Sequence, residues 1–171
     1  MKAVINGTKG ANMKKSFMRM KIDADGIPYL AEDGRSYVID RRLTWADSPS
    51  KVYKLAQTLG VTDDAEESVY MLCLDTQLKA IAVFEVTHGC LNASLINPRE
   101  VFQRALMCGA AEIILWHNHP SGNLEPSNED IKATRRLVEA GKIMGVPMIE
   151  HLIVTADAYN SLHDTMPELF E

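Results

Sequence analysis

Hydrophobic positions in the chain fall into segments of different period. Residues 1–40 show no sustained period: Gly7, Gly10, Gly26 and Gly34 lie among scattered charges, and only Tyr37-Val38-Ile39 reads as strand. This pattern predicts an N-terminal arm or small hairpin. Over residues 41–64 the period becomes helical. Asp47-Ser48-Pro49 supplies a polar cap and a proline at a first helical position, and Val52, Leu55, Ala56 and Leu59 share one face before Gly60 stops the run. Val69 to Leu74 is an apolar run of strand length, and Asp75 to Lys79 turns it into a second run, Ala80 to Val86, which predicts a hairpin. Pro98 then opens a helix with Val101, Phe102, Ala105 and Leu106 on one face and Gly109 near its end.

Ile113-Ile114-Leu115-Trp116 reads as a buried strand. A further helix begins around Ser127 and Asp130, faces inward through Ile131, Leu137, Val138 and Ile143, and ends at Gly145 and Pro147. A strand from Met148 to Val154 follows. The order helix, hairpin, helix, strand, helix, strand predicts an α/β protein of the α+β type, a mixed β-sheet flanked by helices.

Composition narrows the function classes. At 171 residues the chain accommodates one domain with an appendage, and a net charge of -5 argues against a general nucleic-acid binder. The basic pairs Lys14-Lys15 and Arg135-Arg136 read as solvated surface. Cys73, Cys90 and Cys108 are odd in number and widely spaced, which suits buried thiols rather than a disulfide framework or a metal knuckle. No apolar stretch approaches the roughly 18 residues that span a bilayer, and the N-terminus lacks the apolar core of a signal peptide. A cytoplasmic, reducing compartment is the expectation, with no membrane partner.

The chemistry concentrates in His117-Asn118-His119-Pro120-Ser121-Gly122-Asn123-Leu124-Glu125-Pro126-Ser127-Asn128-Glu129-Asp130, which holds two of the five histidines. Side chains at i and i+2 of an extended segment point the same way, so His117 and His119 can present ring nitrogens to one ion. Asp130, in the first turn of the next helix, is the natural third ligand for a Zn2+ site that keeps a fourth position open. Ser127-x-x-Asp130 also reads as a helix N-terminal cap.

His-x-His, seven residues, then Ser-x-x-Asp resembles the JAMM (JAB/MPN+) metalloprotease motif at every fixed position. The fuller string His-Asn-His-Pro-Ser-Gly with Pro126-Ser127 and Asp130, together with Asn97-Pro98-Arg99-Glu100-Val101-Phe102, is similar to the RadC branch. The resemblance covers residues 65–171. It implies a JAB/MPN-like fold with cytidine-deaminase-like layering, and a short member without the helix-hairpin-helix module of full-length RadC proteins. It also implies a zinc metallopeptidase-like hydrolase that cleaves an amide or isopeptide bond with zinc-activated water.

The family places a glutamate general base at the start of its first core strand. Glu67, just before Val69, is the candidate here, with Glu66, Glu85 and Glu100 as competitors. By the same resemblance Ser127 donates to the oxyanion of the tetrahedral intermediate. His151 occupies the place of a histidine common in RadC relatives, with Glu150 where an aspartate is usual, and reads as a hydrogen-bonded core residue. A non-catalytic DNA-repair-associated or interaction module on the same fold is the alternative. The literal letters His-Asn-His do not suit an HNH nuclease, whose three residues are dispersed, and the His-x-Glu and Pro-Cys-x-x-Cys pattern of zinc deaminases is missing. The sequence does not specify the peptide or protein substrate or the oligomeric state.

Overall fold

The computed structural model describes residues 12–40, 45–89 and 96–171. Gly7, Gly10 and Cys90 lie outside them. Strands β1 (Asn12–Ile22) and β2 (Pro28–Asp40) form a hairpin, followed by helix α1 (Pro49–Leu59), strands β3 (Ser68–Leu74) and β4 (Ala80–His88), and helix α2 (Pro98–Met107). The chain continues through β5 (Glu112–Asn118), α3 (Asn128–Met144), β6 (Met148–Val154), β7 (Tyr159–Ser161), α4 (Leu162–Thr165) and a closing 3-10 turn at Pro167–Leu169. The strands make one seven-stranded mixed sheet in the order β2-β1-β4-β3-β5-β6-β7. This is the α/β architecture that the hydrophobic pattern predicts.

The sheet is covered on both faces, which is why β3 and β5 read as continuous apolar runs rather than alternating ones. Val69, Met71 and Cys73 of β3 and Ile113 and Leu115 of β5 pack with Val101, Phe102 and Leu137 from α2 and α3. The intervening Tyr70, Leu72, Leu74, Ile114 and Trp116 pack with Val52, Leu55 and Ala56 of α1. The period of two that separates these cores also decides where polar residues at the end of β5 point: His117 continues the α3 side and Asn118 the α1 side.

Helix α3 sits on the sheet through small residues. Gly141 is buried, and a Cβ there would come within 2.8 Å of the Val146 carbonyl oxygen and 3.3 Å of Phe102 Cζ. The buried face is Ala133, Thr134, Leu137, Val138 and Gly141, which corrects the inward face read from the sequence. Ile143 is 85% exposed and Ile131 only half-buried. Each lies six residues from Leu137, about 240° around the helix, so neither can share its face. Leu106 of α2, 47% exposed, also departs from expectation, because α2 buries only Val101, Phe102 and Ala105.

The β1–β2 hairpin joins the sheet through a parallel bridge between Met18 and Phe84. Its sequence carries little period because, of the described β1 side chains, only Phe17 is buried, while β2 buries Tyr37 and Ile39 near its end. Two basic residues outside the site have internal partners: Lys15 Nζ donates to the Ala80 carbonyl at 2.9 Å and Arg136 Nη2 to the Ile96 carbonyl at 2.6 Å. Among the described residues no helix is long and apolar enough to cross a membrane.

Candidate metal centre

Strand β5 runs antiparallel to β3 and parallel to β6, and its pairing with β6 continues past its end, where His119 N donates to the Val154 carbonyl at 3.0 Å. Extended geometry therefore persists from His117 through His119, and the two rings meet on one side with Nε2 atoms 3.0 Å apart. The chain then turns sharply. Gly122 N donates to the His119 carbonyl at 3.0 Å with Gly122 at φ +75°, a left-handed conformation that glycine adopts without steric cost.

The turn leads to α3, whose first turn carries Asp130 back over the end of β5. His117 Nε2 lies 3.5 Å from Asp130 Oδ1, and His119 Nε2 lies 3.7 Å from Asp130 Oδ2. Glu67, half-buried just before β3, completes a group whose ligand atoms all lie within 4.8 Å of one another. Four zinc ligands at about 2.1 Å in a tetrahedron would be separated by about 3.4 Å, so the His117, His119 and Asp130 spacings suit a small divalent ion.

The hydrogen-bond partners determine which nitrogens are bare. Thr134 Oγ1 donates its one proton to the Asp130 carbonyl at 2.7 Å, so it accepts from His151 Nδ1 at 2.7 Å. His151 Nε2 is then an acceptor and takes the proton of His117 Nδ1 at 2.9 Å. His117 Nε2 is left as a lone pair facing the centre. His119 Nδ1 donates to the Asn123 carbonyl at 2.6 Å, which directs its own Nε2 lone pair to the same place. Two facing lone pairs 3.0 Å apart repel unless a proton or a metal ion lies between them. The donor set thus fits a metal.

Charge shifts follow from this geometry. Burial, aided by His151, holds His117 well below the usual histidine range, and burial holds His151 down to about 4. The Asp130 carboxylate beside His119 raises that imidazole. Burial opposes the charge of Asp130, but His119, His117 and the Ser127 donors outweigh it and keep the carboxyl below its ordinary range. Burial pushes Glu67 up, and Asp130 adds to the rise while His119 opposes it.

Ser127 and Asp130 form a capping box. Ser127 Oγ accepts from Asp130 N at 3.1 Å and donates to Asp130 Oδ2 at 2.6 Å, and Ser127 N donates to the same oxygen at 2.8 Å. Cap and candidate ligand are therefore compatible readings of one carboxylate, since Oδ1 remains turned towards His117. The competing glutamates are engaged elsewhere. Glu85 pairs with Arg35, Glu66 lies 2.9 Å from His88 Nε2, and Glu100 is exposed at the start of α2.

An open cleft of about 740 Å³ borders the centre, lined by Glu66, Glu67, His119, Asn123, Glu125 and Ser127 among others. Sequence reasoning missed Asn118 and Thr134. An asparagine inside an apolar strand was the available signal for the first; for the second, nothing local marks a buried threonine as a histidine's partner.

A family model for the RadC-like JAB domain matches residues 46–167. The chain is 38% identical over 153 residues to a UPF0758 protein of Methanosarcina barkeri, covering 85% of this chain and 66% of that protein. A UPF0758 protein of Methanospirillum hungatei is 43% identical over 114 residues, with coverage of 67% and 51%, and one of Thermotoga maritima 42% over 118 residues, with 69% and 52%. The chain thus spans between half and two thirds of the length of these curated relatives.

Proposed function

The chain belongs to the RadC-like JAB domain family, and from that membership we propose a zinc-dependent metallohydrolase that cleaves an amide or isopeptide bond. The observation that carries this reading is the pair of bare Nε2 atoms on His117 and His119, facing the Asp130 carboxylate at near-tetrahedral spacing beside a half-buried Glu67. His117, His119 and Asp130 would hold the ion. When bound, zinc supplies a Lewis acid that polarises a carbonyl and lowers the pKa of water towards about 7.

Glu67 takes the proton of the attacking water and passes it to the leaving amine. Its carboxylate suits that role by position, since it lies within 4.8 Å of the candidate ligand atoms and borders the open cleft. Ser127 sits on the rim of the cleft, where its hydroxyl, swung away from Asp130, donates to the oxyanion as charge develops. The cleft lining carries Glu66, Glu67 and Glu125 and, among the described residues, no lysine or arginine. Such a wall suits a peptide better than a phosphate backbone, which favours the hydrolase over a nucleic-acid-binding module.

The test is to strip the protein with chelator, reload it with zinc, and incubate it with a proteome-derived peptide library while new amino termini are read by mass spectrometry. One zinc per chain is expected, with cleavage that disappears on chelation. Failure to take up supplied zinc, or cleavage indifferent to the chelator, refutes the reading.

A further inference from the structure

We propose that Asn118, the residue between the two histidines, is the positioning residue for Glu67; this rests on the reading of Glu67 as general base. Asn118 is 1% exposed and points to the opposite face of the sheet from His117. Its side chain is wholly committed to one short stretch of chain. Nδ2 donates to the Asp64 carbonyl at 3.1 Å and to the Glu66 carbonyl at 3.0 Å, and Oδ1 accepts from Ser68 N at 2.8 Å.

These three bonds bracket Glu67 on both sides. They tie the segment before β3, where Ala65 and Glu66 are exposed, to the strand that carries the two histidines. The Glu67 carbonyl has its own anchor, accepting from Gly89 N at 3.0 Å. Strand β5 therefore aims His117 at the centre from one face and, through Asn118 on the other, sets where the base stands relative to it. An amide is the side chain that matches two carbonyls and one N–H at once. Aspartate would turn a charge towards two carbonyl oxygens, and an aliphatic residue would leave the buried Ser68 N–H and both carbonyls without these partners.

The test uses the full chain in metal-free and Co2+-loaded forms, with Asn118→Ala and Asn118→Asp. In the metal-free protein, Asn118→Ala should speed exchange of the Ser68 amide, which donates to Asn118 Oδ1, about tenfold or more, while strand amides such as Leu72 and Ile114 stay protected. In the Co2+ form, the pseudocontact shifts of Glu67 should change while those of Ser127 hold and metal affinity stays within about threefold of the parent, as expected when the ligand set is intact. Asn118→Asp retains an acceptor for Ser68 N and should keep that amide protected while still displacing Glu67.

Unchanged Ser68 exchange and unchanged Glu67 pseudocontact shifts in Asn118→Ala would overturn the proposal. So would faster exchange spread evenly over the sheet, with Glu67 shifts at parent values, which is plain destabilisation. A parent chain that takes up neither Co2+ nor Zn2+ refutes the metal reading instead, and the exchange measurement then still decides whether Asn118 holds the segment. Undiminished hydrolysis by Glu67→Gln removes the base, and with it the positioning role, whatever Asn118→Ala does.

Discussion

Replacing Thr134 by valine keeps the shape of a fully buried side chain and deletes one hydroxyl, which accepts from His151 Nδ1 at 2.7 Å. A buried imidazole N–H without a partner costs about 1–3 kcal/mol. His151 escapes that penalty by moving its proton to Nε2, where it faces His117 Nδ1 across 2.9 Å. His117 must then accept at Nδ1 and carry its own proton on Nε2, aimed into the centre where the metal needs a lone pair. Zinc binding would force the pair back to the stranded tautomer. The same 1–3 kcal/mol reappears as lost affinity, roughly 5- to 150-fold, a range that brackets the usual effect of residues behind metal ligands. The assay is competition for zinc against a chromophoric chelator, with Thr134→Ser retaining the hydroxyl and near-parent affinity. Nitrogen-15 correlation of the imidazoles in the metal-free protein reads which His117 nitrogen is protonated. A Thr134→Val protein that binds zinc as tightly as the parent and keeps a bare His117 Nε2 refutes this reasoning.

Metal-free protein should lose stability as pH falls from about 6.5 to 4, because the unfolded chain binds protons on His151 and His117 that the folded state refuses; His151 alone contributes up to about 3 kcal/mol. His119, raised by Asp130, acts in the opposite sense: its contribution is complete below about 6.5 and fades as pH rises through its folded value, while that of Asp130 fades only below about 3.9. A melting temperature of stripped protein that stays flat between pH 7 and 5 contradicts this balance. Glu67→Gln should cut hydrolysis by about 10²- to 10⁴-fold with zinc content unchanged, and a smaller loss would return the base to another group. Gly141→Ala places a methyl 2.8 Å from the Val146 carbonyl and should destabilise by about 1–3 kcal/mol in denaturant titration. A neutral result there would mean that α3 can lift off the sheet cheaply.

Much of this protein is legible locally. The apolar runs at β3 and β5, the proline at the start of α2 and the Ser127–Asp130 cap are each written within a few neighbouring residues, and the mixed sheet flanked by helices follows from their order. Period alone puts His117 and His119 on one side of a strand, and the Pro-Ser-Gly turn brings Asp130 within reach. The N-terminal hairpin was harder to read, since few of its side chains are buried and burial is what imposes a period. Helix α3 misled because exposed Ile143 and half-buried Ile131 are larger and more apolar than the Ala133, Thr134 and Gly141 that face the sheet.

Which glutamate stands by the histidines is of another kind. Glu66, Glu67, Glu85 and Glu100 are equivalent by composition, and Glu67 is separated from His117 by fifty positions. The antiparallel register of β3 on β5, which pairs Val69 with His117, brings Glu67 to the centre, while Glu85 turns to Arg35. The relay from Thr134 through His151 to His117 likewise joins α3, β6 and β5. The strand end that carries His117 and His119 and the capped helix that returns to it are written in local sequence, because periodicity and capping act over one or two turns of chain. The nearness of Glu67 to the histidines, the bonds from Asn118 to its neighbours and the tautomer of His117 come from tertiary contacts, because each depends on elements that only strand pairing and helix packing bring together.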